Sequence, residues 1–317
     1  SRSKEQMPLP DPKDTVKYLS IKYSMPEWIV NLWLPAYGRE GTETLLKGLL
    51  SIHPVSLRFS TELTEAERES LAEKIEKTGV RLQQSRELPY VYLAQNLENV
   101  SELPGFAEGK FHVQDLSSQL LCAFVSPQPG ERLADVCAAP GGKSFTLAEY
   151  MENTGVLDAF DLYKGRVNLI KKGAERLGLS IIHAAVRDAA TGVCEKRYDR
   201  VLCDVPCSGL GVIRKKPDIR YKPLDAIERL PAIQTAILEN VCRYVHPGGT
   251  LLYSTCTVRK EENEDVARTF LLAHPEFSPE PFAVPAGLDL KNEGYATLLP
   301  QKHAADGFFI CKLRRHA

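Results

Sequence analysis

The chain has almost no surplus of charge. Across 317 residues, 40 Lys and Arg stand against 41 Asp and Glu, a formal net charge of −1. No global basic field therefore attracts a nucleic acid, and any such contact has to come from a local patch. Long apolar runs are also missing. None approaches the roughly 20 residues of a membrane span, and no charged, apolar and small-residue segment opens the chain as a signal peptide would. The eight cysteines lack the close, regular spacing of a disulfide framework. There is no Cys-x-x-Cys and no paired histidine spacing, which sets metal aside. Internal repeats and low-complexity tracts are absent. The expectation is a soluble, cytoplasmic protein with reduced thiols and no membrane partner; nothing demands a dimer, so a monomer is expected. With 43% hydrophobic residues, a chain of this length buries one full core and a second small one.

Residues 1–25 are polar, carry Pro8, Pro10 and Pro12, and read as a tail or linker. Helical apolar spacing follows over 26–34, and a second helix over 41–50. A strand is predicted at 55–60. Thr64, with Glu67 three residues on, caps a helix over 64–78 that Gly79 closes. Further strands fall at 80–84 and 90–94. Together 26–108 reads as a small α/β subdomain, its end marked by Leu103-Pro104-Gly105. Over 109–317 strands at 133–136, 156–160, 181–185, 201–204, 250–254 and 308–313 alternate with helices. That is the signature of a Rossmann-like, doubly wound α/β domain.

Two cysteines stand at predicted strand ends, Cys207 in Asp204-Val205-Pro206-Cys207-Ser208-Gly209 and Cys256 in Ser254-Thr255-Cys256-Thr257. Strand carboxyl ends border the ligand crevice of an open α/β sheet, and thiols with a lowered pKa are strong nucleophiles. Cys122, Cys194, Cys203, Cys242 and Cys311 read instead as small buried hydrophobes. After the first long strand comes Cys137-Ala138-Ala139-Pro140-Gly141-Gly142-Lys143-Ser144, a small-residue loop entering a helix, suited to close backbone approach of an anionic ligand. It is neither a Walker loop, since Cys137 replaces the first Gly, nor GxGxxG. Acids follow successive strands at Asp161, Asp188 and Asp204. Asp161 lies about where this fold places an acid on a cofactor ribose; alone, Asp188 reads equally well as a turn acid.

The ordered set Phe111-His112-Val113-Gln114-Asp115-Leu116-Ser117-Ser118-Gln119, Asp-x-Cys-Ala-Ala-Pro-Gly-Gly-Lys, Asp-Val-Pro-Cys-Ser-Gly, and Ser-Thr-Cys-Thr before Glu261-Glu262-Asn263-Glu264 resembles the Sun/Fmu (RsmB-type) RNA cytosine-C5 methyltransferases. The likeness is closest to members acting on bacterial 16S ribosomal RNA and covers nearly the whole chain. It implies S-adenosylmethionine as cofactor, wrapped by Cys137, Ala138, Ala139, Pro140, Gly141, Gly142 and Lys143. Asp161 would hold the ribose hydroxyls and Asp188 would lie near the adenine. Asp204 would sit close to both the methionine end and the target base. Ser144 stands where Thr is usual, Val205 where Ala is common, and Arg187-Asp188-Ala189 matches its motif loosely. The helical N-terminal RNA-binding domain that such members often carry is expected to be absent here.

Cytosine C5 is a poor nucleophile. A thiolate adding to C6 makes C5 enamine-like, and covalent catalysis divides one hard step into easier ones. The C5 proton and the enzyme sulfur must then leave. The resemblance assigns the attack to Cys256 and an assisting role in product release to Cys207. The residues alone do not rank the two, and the Pro-Cys dipeptide used by DNA cytosine-C5 methyltransferases keeps Cys207 a rival. Asp204 is expected to bond the cytosine N4/N3 edge. The 261–265 acid run reads as a helix start. Arg214-Lys215-Lys216-Pro217-Asp218-Ile219-Arg220-Tyr221-Lys222 is the expected RNA-contacting stretch, with Lys22, Arg58, Arg81 and Arg86 as a second grip. Small-subunit ribosomal RNA is the expected partner. Transfer RNA and a non-catalytic RNA-binding or ribosome-assembly role remain open, and a redox dithiol pair is a weak third.

Overall fold

The computed structural model describes residues 9–51, 54–303 and 305–317. In chain order, α1 (Thr15–Lys22) and α2 (Glu27–Leu50) precede β1 (Val55–Phe59), α3 (Glu65–Glu76), β2 (Arg81–Gln84), β3 (Val91–Gln95) and β4 (Phe111–Val113). Next come α4 (Leu116–Val125), β5 (Arg132–Asp135), α5 (Gly142–Tyr150), β6 (Val156–Asp161), α6 (Lys164–Leu177), β7 (Ile182–Val186) and β8 (Tyr198–Asp204). The chain ends through α7 (Leu224–Glu228), α8 (Leu230–Val241), β9 (Val245–Thr255), α9 (Glu264–Ala273), β10 (Phe277–Pro279), β11 (Tyr295–Leu298), α10 (Pro300–His303) and β12 (Phe308–Arg315).

Five strands pair in parallel in the order β9-β8-β5-β6-β7, and β12 joins β9 antiparallel, flanked by β10 and β11. The order reverses between β5 and β8, so the crevice of this doubly wound sheet opens beyond their carboxyl ends. One apolar core packs α4, α5 and α6 against one face, around Leu120, Phe124, Leu147 and Ile170. A second packs α8 and α9 on the other, around Leu238, Val241, Tyr253 and Phe270. The predicted strands all form. Unlike the other crossovers of this parallel set, the one from β7 to β8 carries no helix.

The small antiparallel sheet, β2-β3-β1-β4, is covered by α3. Thr64 and Glu67 close the expected capping box, which satisfies helix N–H groups that would otherwise lack partners. Two expectations need correction. The 1–25 tail reading fails over α1, where Asp14 caps the helix and Leu19, Tyr23 and Met25 are buried; residues 1–8 lie outside the described residues. The 26–108 unit does not hold together either. Helix α2, broken at Gly38 into the two predicted helical stretches, packs through Ile29, Trp33 and Leu46 onto Leu210, Ile213, Ile219 and Val258 of the large domain. Conversely β4, beyond residue 108, pairs with β1. Periodicity shows which side of a helix is apolar, not which distant loop covers it.

Polar contacts join the small sheet to α5. Arg58 on β1 is fully buried and meets Glu149 on α5 at 2.6 Å, with the Tyr150 ring 4.7 Å from its guanidinium carbon. His112 on β4 approaches Thr146 at 3.3 Å. Burial, with Arg58 and Arg176 nearby, pushes the His112 pKa down to about 3, so the imidazole is neutral. Arg58 is thereby removed from any RNA grip. Removing one partner of a buried pair leaves an uncompensated charge, at about 3–5 kcal/mol. Arg58→Ala is expected to lower the thermal midpoint by that equivalent, and Arg58→Met with Glu149→Leu to lose clearly less, measured by calorimetry.

Candidate active site

The crevice is built from the loops that leave β5, β6, β8 and β9. Pairing of β8 with β9 sets Asp204 opposite Ser254, and the Ser254 hydroxyl donates to Asp204 Oδ1 at 2.9 Å. Beyond this pair the two chains turn, and Cys207 Sγ and Cys256 Sγ come within 3.1 Å. Both residues are partly exposed, while Cys122, Cys194, Cys203, Cys242 and Cys311 are buried, as expected.

The surroundings of the two sulfurs differ. The hydrogen bond with Cys256 and burial push the Cys207 thiol well up, and the Glu262 and Asp204 carboxylates add to this. The same hydrogen bond draws Cys256 down, against burial and Asp204, with help from the Lys143 and Lys216 ammoniums. Either sulfur could donate in this contact; the acids beside Cys207 and the ammoniums beside Cys256 favour Cys256 as the thiolate. Lys143 meets Asp204 at 2.7 Å; burial opposes its charge, but Asp204 holds it charged above the usual lysine range.

The loop after β5 places Cys137, Ala138, Ala139 and Pro140 before α5. Gly141, at φ 116°, starts that helix without a side-chain cap, and a Cβ there would lie 2.4 Å from the Phe145 ring. Gly142 faces open space apart from Gln114, 3.8 Å from where a Cβ would be. Asp135 Oδ2 accepts from Ser144 at 2.7 Å, whereas its buried Oδ1 has no hydrogen-bond partner among the described residues. Burial pushes that carboxyl up to about 7. Asp161, at the end of β6, accepts N–H bonds from Ala139 (3.2 Å) and Tyr163 (3.3 Å). Asp188, after β7, spends its oxygens within its own turn, on Ala190 N and Thr191 Oγ1, as a turn acid does. An uncapped helix start, an orphaned carboxylate oxygen and an acid one strand away suit a ligand that brings a carboxylate, an ammonium and a diol. S-adenosylmethionine has that set of groups, so the residues fit it.

The basic run is mostly occupied by the protein itself. Arg214 pairs with Asp306, Lys215 with Asp115 and Asp306, Arg220 donates to Ser24 O at 3.2 Å, and Lys222 donates to Ser208 O at 2.9 Å. Lys216 has no ion pair among the described residues, and Tyr221 is 82% exposed. Composition counts charges but does not show which already have partners. The 261–265 run opens α9 as expected, with Glu264 and Asp265 in its first turn, but its first acids differ from one another. Glu261 is exposed, but Glu262 is fully buried beneath the Cys207 loop. Its neighbour Asn263 is buried too and accepts from Thr255 Oγ1. No local pattern marks an acid in a polar run as buried.

The profile of the family described as 16S rRNA methyltransferase RsmB/F matches residues 122–314. A Bacillus subtilis protein, "Probable ribosomal RNA small subunit methyltransferase B", is 37% identical over 96% of this chain, which spans 69% of that protein. The crystal structure of PH0851 superposes with a TM-score of 0.88 at 34% identity, over 96% of this chain and 69% of that one. NSun6 from Pyrococcus horikoshii, solved with SFG, shares the fold at a TM-score of 0.81 and 22% identity, over 92% of this chain and 98% of that one. Helices long and apolar enough to cross a membrane are absent among the described residues. The chain belongs to the 16S rRNA methyltransferase RsmB/F family, and its cofactor is S-adenosylmethionine.

Proposed function

We propose that the chain methylates C5 of a cytosine in 16S ribosomal RNA, with Cys256 as nucleophile and Cys207 assisting release of the product. The observation that carries this reading is the contact of two thiols at 3.1 Å at the ends of adjacent parallel strands, in unlike electrostatic surroundings. When bound, S-adenosylmethionine supplies an electrophilic methyl group. The protein's task is to make C5 nucleophilic. The Cys256 thiolate adds to C6 of the base, and the C5–C6 double-bond electrons become available at C5. Asp204, already fixed by Lys143 and Ser254, accepts from the N4 amino edge, a bond that uracil cannot offer. Once C5 carries the methyl group, its proton must leave and the C6–sulfur bond must break. Cys207 adjoins the departing sulfur and can relay the proton: it donates its S–H to the leaving Cys256 sulfur and takes the C5 proton in return, so C5=C6 re-forms and both thiols are restored.

The cofactor would lie along the 137–143 loop, with Asp161 on the ribose and Asp188 at the adenine end. For the RNA, Lys216 offers a cation beside the thiols that has no ion pair among the described residues, and Tyr221 an exposed ring. Arg81 and Arg86, exposed on the small sheet and its hairpin, remain available as a second grip. The targeted cytosine has to be unpaired or splayed out, because C5 and C6 must reach the thiols.

Incubation with methyl-labelled S-adenosylmethionine and unmethylated 16S ribosomal RNA should place label in 5-methylcytidine. In Cys256→Ala the rate should fall by about a thousandfold or more. Persistent labelling in that variant would transfer the attack to Cys207. Cys207→Ala is instead expected to accumulate a denaturant-resistant protein–RNA adduct, visible on gels. For RNA affinity, Tyr221→Ala should cost about 1–3 kcal/mol, the range of a lost base stack, and Lys216→Met should weaken binding several-fold. Equilibrium titration against a fluorescent RNA hairpin would detect either change, and unchanged affinity in both would remove this loop from the interface.

A further inference from the structure

Glu262 has no part in the chemistry above, yet its carboxylate is fully buried. Its Oε2 accepts the backbone N–H of Ser208 at 2.8 Å and the Gln234 amide at 3.0 Å. The same amide nitrogen donates to the Pro206 carbonyl at 3.0 Å. Both neighbours of Cys207 are thus held by one carboxylate–amide unit. The Cys256 turn is bound to the same place. The Tyr253 hydroxyl donates to the Glu262 carbonyl, and Asn263 donates to Thr257 O at 3.1 Å. The Ser208 and Thr257 hydroxyls bridge the two turns at 2.8 Å.

This arrangement is costly. Among the described residues Glu262 Oε1 has no hydrogen-bond partner, and the cation paired with it, Arg259, stays 3.9 Å away while donating to Ile227 O. A buried carboxylate with one oxygen unsatisfied needs an explanation, and a helix start does not provide one, since Glu262 precedes the Asn263 N-cap and the first-turn acids of α9 are Glu264 and Asp265. The charged or titratable groups facing the Cys207 turn are Asp204 on β8, Tyr253 on β9, Cys256 after β9, Arg259 and Glu262 before α9, and Lys222. Of the two acids, Asp204 is neutralised by Lys143 at 2.7 Å. Glu262 lacks an ion pair of that quality, so its negative charge acts on Cys207.

We propose that Glu262 is a positioning residue that assigns different roles to the two cysteines. It clamps the residues on both sides of Cys207 and places a fixed negative charge there, which keeps that thiol the hydrogen-bond donor to Cys256. Without it the Cys207 side loses one of the charges that separate the two sulfurs, and the difference between them narrows. This deepens the cysteine chemistry proposed above and rests on it for its catalytic meaning. The arrangement of the thiols can nevertheless be tested without RNA.

The test is limited alkylation with iodoacetamide across a pH series, with the two cysteine peptides quantified separately by mass spectrometry. In the unmodified protein Cys256 should label with a lower pH midpoint than Cys207. In Glu262→Gln the Cys207 midpoint should fall by about one pH unit, raising its share of labelling near neutrality about tenfold. Gln234→Met, which loosens the clamp but keeps the charge, should preserve the original order. Thermal melting and S-adenosylmethionine binding establish that each variant is folded. Equal or reversed midpoints in the unmodified protein would overturn the proposal, even if Glu262→Gln failed to fold. So would unchanged midpoints in a folded Glu262→Gln, or the same fall in Gln234→Met. If the midpoints behave as expected while Cys256→Ala still methylates RNA, the catalytic reading falls and the assignment of Glu262 to the thiol pair stands.

Discussion

Parallel pairing of β8 with β9 places Asp204 beside Ser254, and nearly everything at the site follows from that register. The two turns leave the sheet side by side, so their cysteines can touch without any long-range lever. A slip of one residue would face every side chain of one strand the other way and separate Asp204 from both Ser254 and the thiols. The turns themselves are not regular structure. They are held by an underlayer of buried polar groups, Ser208, Thr257, Gln234, Glu262 and Asn263, each bonded to another or to backbone. Such a network fixes geometry only when nearly all its members are satisfied. Two oxygens of this layer, Gln234 Oε1 and Glu262 Oε1, have no hydrogen-bond partner among the described residues.

Much of this was legible in the sequence because the relevant signals are local. The strands of the parallel sheet, the Thr64–Glu67 capping box, and the two cysteines and acids at strand ends all come from short-range pattern. What escaped is what depends on distant partners. Nothing near Leu19 and Met25 says that Trp33 and Leu46 lie across from them, so residues 15–22 resemble the polar, proline-bearing stretch before them. Arg58 and Arg214 look like any surface cation until Glu149 and Asp306 come to meet them from about 91 and 92 residues away. Glu262 was legible as an acid before a helix, and only the packing of the Cys207 turn over it shows that it is buried. Asp188, read equally as ligand or turn acid, is bonded within its turn; that leaves its place near a cofactor a proposal.

The two sheets meet differently from the two faces of the large sheet. Across the large sheet the contacts are apolar and forgiving of small shifts. Between the small sheet and α5 they include a buried ion pair and a buried imidazole–hydroxyl contact, which are directional. Helix α5 is also the helix that the 137–143 loop enters. The orientation of the small sheet is thus referred to the same element that begins at Gly142, so a surface contact on one side is registered against the cofactor loop on the other.

The internal bonding of the 214–222 run has a consequence for ionic strength. A nominal cluster of five cations suggests a strongly salt-sensitive polyelectrolyte contact. Each single-strand phosphate neutralised lowers the slope of log affinity against log salt by roughly 0.7. With Arg214 and Lys215 paired to carboxylates, the unpaired charge of this segment is reduced to Lys216, Arg220 and Lys222 among the described residues, and the last two already donate to carbonyls. On a chain of net charge −1, selection for an RNA site would then rest more on the shape of the crevice and on stacking than on the ion atmosphere. Low salt would gain this segment less in indiscriminate binding than its composition suggests.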